Sequence, residues 1–155
     1  MGGGSLRKEL KKRHAFESLE QEAILNLART QDRVQIRFAR LFREYGITDS
    51  QYNVLRILRG EGAALPCLEI ASRLISTVPG ITGLIDRLED LELVKRERST
   101  SDRRVVNVAI TAKALELLER LDPPVTRLHK ELLGHLSRDE SQTLIRLLEK
   151  VRDPL

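Results

Sequence analysis

Residues 77–111 read TVPGITGLIDRLEDLELVKRERSTSDRRVVNVAIT, and the hydrophobic period changes within them. Ile81, Leu84, Ile85, Leu88 and Leu91 recur three and four residues apart, the stripe of a helix with one buried face. Val106, Val108 and Ile110 alternate, as in a half-buried strand. The polar run Ser99-Thr100-Ser101-Asp102 separates the two patterns. The spacing therefore predicts a helix opening at Thr77, with Pro79 two residues on, and running to Glu92. A β-hairpin over Leu93–Arg98 and Arg104–Ile110 follows, with a loop of about four to five residues.

Upstream, Pro66 precedes Leu68, Ile70, Ala71 and Leu74, which predicts a short helix from Pro66 to Leu74. Two helices around a brief turn, followed directly by a charged hairpin, spell a helix-turn-helix with a wing. The second helix begins with the small or polar residues Thr77, Pro79, Gly80, Thr82 and Gly83, while Ile81, Leu84 and Ile85 supply its buried side. A small face lets a backbone approach base edges in a major groove, and free N–H groups at a helix start attract phosphate. The hairpin carries Lys95, Arg96, Arg98, Arg103 and Arg104 against Glu97 and Asp102. Alone, such charge is the ordinary protection of a strand edge. Placed after a helix-turn-helix, it points to a nucleic-acid backbone.

The flanks are helical. Ser18 to Tyr45 contains neither Gly nor Pro, and Ile24, Leu27, Val34, Phe38, Leu41 and Tyr45 form one face of a helix about 40 Å long. A helix of that reach needs a partner. Gly46 ends it, and Thr48 with Gln51 makes a capping box for a second helix carrying Val54, Leu55, Ile57 and Leu58, which Gly60 and Gly62 stop. Thr111 caps a later helix expected to break or bend at Pro123-Pro124. Ser137 and Glu140 make a second capping box, opening a last helix with Leu144, Ile145, Leu147, Leu148 and Val151.

The chain of 155 residues is 41% hydrophobic and 32% charged, with 3% aromatics and no Trp, so its core is built from Leu, Ile and Val and its fold class is mainly α. A net charge of +4 is too mild to decide anything. One cysteine excludes an internal disulfide and fits a reducing compartment. The absence of a long apolar run argues against a membrane partner and for the cytoplasm. Met1-Gly2-Gly3-Gly4-Ser5 reads as a flexible start rather than a signal peptide.

From Phe16 to Val151 the chain resembles the MarR (multiple-antibiotic-resistance regulator) family. The residues that carry the likeness are Ile47-Thr48-Asp49-Ser50-Gln51-Tyr52-Asn53-Val54-Leu55, Leu84-Ile85-Asp86-Arg87-Leu88-Glu89, and Asp102-Arg103-Arg104 followed by Ile110-Thr111. The resemblance implies a homodimer joined by first, fifth and sixth helices, with two winged-helix lobes on a pseudo-palindromic double-stranded DNA operator. It implies that Thr77, Pro79, Gly80, Thr82 and Gly83, with Arg87, face the major groove. It sets Arg98, Ser99, Asp102, Arg103 and Arg104 in the wing, with Arg104, buttressed by Asp102, entering the minor groove. This chain departs from the family in having Gly83 where a basic residue is common, and Glu92 and Ala114 where glycine is usual.

The expected organisation is a flexible segment 1–13, a helical dimerisation region 14–47 and 111–155, and a winged helix-turn-helix lobe 48–110. Phe38, Tyr45 and Tyr52 belong to the core or, where dimer arm and lobe meet, to a pocket for a small aromatic or phenolic effector. Cys67, in the first turn of a helix, is read as packed, with a redox-sensing role as the alternative. His14, His129 and His135 have no second ligand at metal spacing, and no constellation suggests catalysis, so neither cofactor nor enzyme activity is expected. The principal reading is a sequence-specific transcriptional regulator, expected to act as a repressor. The reading of another class is a winged-helix module for protein–protein contact that binds no operator.

Overall fold

The computed structural model describes residues 5–155. In chain order they form α1 (Ser5–Glu9), α2 (Leu19–Glu44), α3 (Asp49–Glu61), β1 (Leu65–Pro66), α4 (Cys67–Ser72), α5 (Ile81–Asp90), β2 (Val94–Arg98), β3 (Val106–Ile110), α6 (Ala112–Leu133) and α7 (Arg138–Arg152). This is the expected mainly α architecture with a small antiparallel sheet. The chain forms two compact units, one reaching to Phe38 and the other running from Ala39 to Leu155. The expected lobe 48–110 lies wholly within the second. No helix among the described residues is long and apolar enough to cross a membrane.

In the first unit, α1 occupies part of the segment expected to be flexible, while Met1–Gly4 lie outside the described residues. Leu6 is buried, and the Glu9 carboxylate meets Arg33 at 2.9 Å and Arg29 at 3.6 Å on α2. The Arg7 guanidinium donates to the Arg13 carbonyl at 3.0 Å. These contacts organise a stretch whose sequence has no apolar period.

The second unit is built around fully buried Val54, Leu55 and Leu58 of α3, Ile70 of α4, Ile85 and Leu88 of α5, Val94 and Val108 of the sheet, and Leu118 and Leu121 of α6. α2 ends within it in a Schellman turn: the Ile47 N–H reaches the Phe42 carbonyl at 3.2 Å across Gly46, which stands at φ 76°. Phe42 and Ile47, the pair flanking that turn, are both buried. The expected capping boxes Thr48–Gln51 and Ser137–Glu140 are both complete, and the Thr111 hydroxyl accepts the Ala114 N–H as expected.

Four expectations are corrected. α5 starts at Ile81, not Thr77; Gly80 stands at its N-cap and Thr77 caps nothing. Pro79 disfavours helical backbone at Val78 before it, which counts against a start at Thr77. α4 covers Cys67–Ser72 only, because Leu65–Pro66 pair with β3 as a strand that two residues are too few to announce. The loop between β2 and β3 spans residues 99–105. Of the break or bend expected in α6, the break does not occur: the helix continues through Pro123 and Pro124 to Leu133. Buried Leu118, Leu121, Val125 and Leu128 hold it on both sides of the prolines, and Asp122 receives both terminal nitrogens of Arg59 on α3, at 2.8 and 2.9 Å.

A second Schellman turn closes α5. The Glu92 N–H donates to Glu89 at 2.8 Å, the Leu93 N–H donates to Leu88 at 2.9 Å, and Leu88 and Leu93 are buried together. Its left-handed position is filled by Glu92 at φ 59°, where a side chain costs about 1 kcal/mol that glycine avoids. Glu92→Gly therefore raises the unfolding free energy by roughly 0.5–1 kcal/mol in urea titrations. In the same assay Thr48→Ala lowers it by about 1 kcal/mol. Thr77→Ala, which removes no cap, leaves it within about 0.5 kcal/mol.

Candidate nucleic-acid interface

α4, the turn 73–80 and α5 make the helix-turn-helix. Leu84, Ile85 and Leu88 anchor α5 in the core, leaving Thr82 and Arg87 exposed on its other side. Thr77, Pro79 and Gly80 are exposed in the approach to the helix rather than in its first turn. Arg87 curls back along α5, so that a Cβ built on Gly83 would lie 3.6 Å from its Nη2. The Arg87 guanidinium thus lies beside Gly83, at a distance that a Cβ there would meet as an ordinary contact.

The sheet has the order β1-β3-β2, with Leu65 and Arg96 both paired to Val108 and Arg98 paired to Val106. The tip is tightly wired. Ser99 N–H donates to Val105 at 3.0 Å and Val105 N–H to Asp102 at 3.0 Å, while the Ser99 hydroxyl accepts the N–H groups of Ser101 and Asp102 at 3.3 and 3.4 Å. The Asp102 carboxylate accepts the backbone N–H of Arg104 at 2.9 Å. Asp102 therefore shapes the turn that presents Arg104 and leaves the guanidinium unengaged.

Charge is not evenly available. Lys95 pairs with Glu97 at 3.1 Å, and Arg96 with Asp86 and Glu89 of α5. Arg98, Arg103 and Arg104 are exposed and take part in no ion pair among the described residues. Ser99, half-buried, ties the tip together between them. Three guanidinium groups without ion pairs, Arg98 at the end of β2 and Arg103 and Arg104 in the loop, make the hairpin end electropositive.

The sequence reading does not find the role of Arg96. A signal for it exists: Arg96 alternates with buried Val94, so it faces inward and needs carboxylates there.

Tyr45 lines a cleft of about 250 Å³ with Ile47, Leu93, Leu117, Lys113 and Arg120. The Lys113 ammonium is already held by the Glu92 carboxylate at 3.3 Å and the Leu91 carbonyl at 2.9 Å, so apolar walls and the Arg120 guanidinium are what the cleft offers a small organic anion. Tyr52 is not in this lining; it stacks on Phe42 with ring centroids 4.3 Å apart and planes at 21°, and burial pushes its phenol above the ordinary value. Phe38 is half-buried on α2, in the first unit. Cys67, the first residue of α4, is half-buried. Among the described residues, no group of three or more His, Cys, Asp or Glu side chains is disposed to hold a metal ion.

Comparison with known proteins agrees with this architecture. A family model described as the MarR family matches residues 47–106. The chain is 33% identical over 123 residues to the HTH-type transcriptional regulator PrsX of Escherichia coli, covering 79% of this chain and 74% of that protein. Among solved structures, a MarR transcription factor from Planctomyces limnophilus is 47% identical, with a TM-score of 0.67 over 86% of this chain and 98% of its own. BpsR of Bordetella bronchiseptica, whose DNA binding is regulated by 6-hydroxynicotinic acid, is 25% identical, with a TM-score of 0.77 over 90% and 96%. A winged helix with an electropositive tip, found in a chain so closely related to known regulators, belongs to the MarR family of DNA-binding transcriptional regulators.

Proposed function

We propose that the chain acts as a cytoplasmic homodimer that represses transcription from a pseudo-palindromic operator. Thr77, Pro79, Gly80, Thr82, Gly83 and Arg87 meet the major groove, and Arg98, Ser99, Asp102, Arg103 and Arg104 form the wing at the flanking minor groove. The observation that carries this reading is the set of three arginines without ion pairs, Arg98 at the end of β2 and Arg103 and Arg104 in the hydrogen-bonded loop that follows the helix-turn-helix. Cations without internal partners neutralise phosphates and release counterions.

Dimerisation rests on α7. It has no buried residue, and Leu144, Ile145, Leu147 and Val151 are all exposed, a face that water alone does not stabilise. A second copy, bringing the same face, covers it with two-fold symmetry. Two lobes then meet half-sites about 34 Å apart, one turn of the duplex.

An effector reading is supported by the Tyr45 cleft. Its apolar walls with the Arg120 guanidinium suit a small aromatic carboxylate or phenolate, the chemistry regulating the relative from Bordetella bronchiseptica. Such a ligand lowers operator affinity only by preferring the state that does not bind DNA.

Three outcomes are expected. Sedimentation at micromolar concentration gives a dimer, and a monomer there ends the two-lobe reading. Arg104→Ala weakens binding to an operator selected from a randomised duplex pool by about 1–3 kcal/mol and flattens the salt slope by about one unit. Unchanged binding with an intact fold reduces the hairpin to a structural edge, as in a protein–protein module. Titration with aromatic acids releases the operator complex, and Arg120→Ala abolishes that response. Release by peroxide instead, lost in Cys67→Ser, makes the protein a redox sensor.

A further inference from the structure

We propose that Arg96 is a positioning residue for DNA reading: it clamps the wing to α5, so that the two engage the duplex as a single rigid reader. The inference rests on the DNA-binding role proposed above and assigns Arg96 a part that involves no contact with DNA. Arg96 lies in β2, two residues before Arg98 at the base of the tip. One terminal nitrogen of its guanidinium donates to Asp86, the other donates to Glu89 at 2.9 Å, and its backbone N–H donates to the second Glu89 oxygen at 3.1 Å.

Asp86 and Glu89 stand three residues apart on one side of α5, so a planar fork spans two successive turns of that helix. Glu89 in turn grips both the backbone and the side chain of a single strand residue. Arg96 is the least exposed member of the cluster, its side chain at 27% against 57% for Asp86 and 43% for Glu89.

Ion pairs this open to solvent contribute little to stability, so their effect is geometric. Three directed bonds set the angle between strand and helix, which the turn at Glu92 and the strand pairing alone leave freer. The clamp also has an electrostatic consequence. It holds two carboxylates of α5 on a guanidinium, where they would otherwise repel phosphates approaching the open face of the helix. Arg96 is thus withdrawn from the charge available to DNA, and its withdrawal organises the arginines that remain available.

The test is a double-mutant cycle between Thr82→Ala on α5 and Arg104→Ala on the wing. Dissociation constants are measured on a duplex that the wild-type protein selects from a randomised pool. The cycle is repeated in Arg96→Leu, in Arg96→Lys, and in a protein carrying Asp86→Asn with Glu89→Gln. In the parent the combined loss departs from the product of the single losses by about threefold or more, as for coupled sites. In each clamp variant the losses multiply to within about twofold, as for independent sites. Lysine fails like leucine, because a single ammonium cannot span both carboxylates in the fixed geometry of the fork. Coupling that survives in all three backgrounds overturns the clamp, and so do losses that already multiply in the parent. A lower melting temperature with coupling intact marks a merely structural ion pair and overturns it too. A parent that selects no duplex overturns the DNA-reading role itself, an outcome separate from failure of the clamp.

Discussion

The second unit depends on burying one side of a ten-residue helix while the other side stays bare. Leu84, Ile85 and Leu88 of α5 are buried, and the residues between them cannot follow. α3 and α4 supply apolar surface to the buried side through Leu55, Leu58 and Ile70, and the sheet supplies Val94 and Val108. The chain must then reverse at Glu92 so that β2 returns beside the helix it has just left. The Leu88–Leu93 turn makes that reversal, and Arg96 of β2 then meets Asp86 and Glu89 on the exposed side of α5. Burial of one face thus determines where the open face and the charged loop can be.

Charge acquires meaning only through this placement. A formal +4 spread over 155 residues distinguishes nothing. Once Lys95 and Arg96 are paired with acids, the arginines left on the tip form a compact cationic feature whose shape is set by uncharged hydrogen bonds through Ser99 and by the carboxylate of Asp102. An acidic residue inside a basic loop would subtract from phosphate attraction if it faced outward. Asp102 instead accepts a backbone N–H, so its contribution is conformational.

Wherever one local interaction decided the outcome, the sequence was a sufficient guide. Both capping boxes, the Thr111 cap, the stop at Gly46 and the apolar stripe of α5 each need only residues within a turn of one another. The wing was recognisable from its change of period. Its loop came out longer because the N–H groups of Arg104 and Val105 serve the Asp102 turn instead of the strand ladder. Thr77 imitated a cap, but the proline two residues later disfavours helical backbone at Val78, the first residue it would open. β1, the Arg96 cluster and the cleft beside Tyr45 each require residues distant in sequence to meet, and only Arg96 left a trace, in its alternation with Val94. Of the aromatic trio, the structure sets Tyr45 at the cleft and Tyr52 against Phe42, a partner the helical period had passed over.

The unbroken path of α6 through Pro123 and Pro124 has a mechanical consequence. Neither proline has an N–H, so the rungs that would return to the carbonyls of Glu119 and Arg120 are missing from the ladder. Within the gap, Asp122 is bolted to α3 by Arg59; beyond it the helix runs on to Gly134 and then to α7. A rod lacking two adjacent struts is most compliant where they are absent, and α6 is held by buried side chains on both sides of that point. Bending stress applied through α7 therefore concentrates at residues 119–124, one turn from the cleft wall at Leu117 and including Arg120 itself.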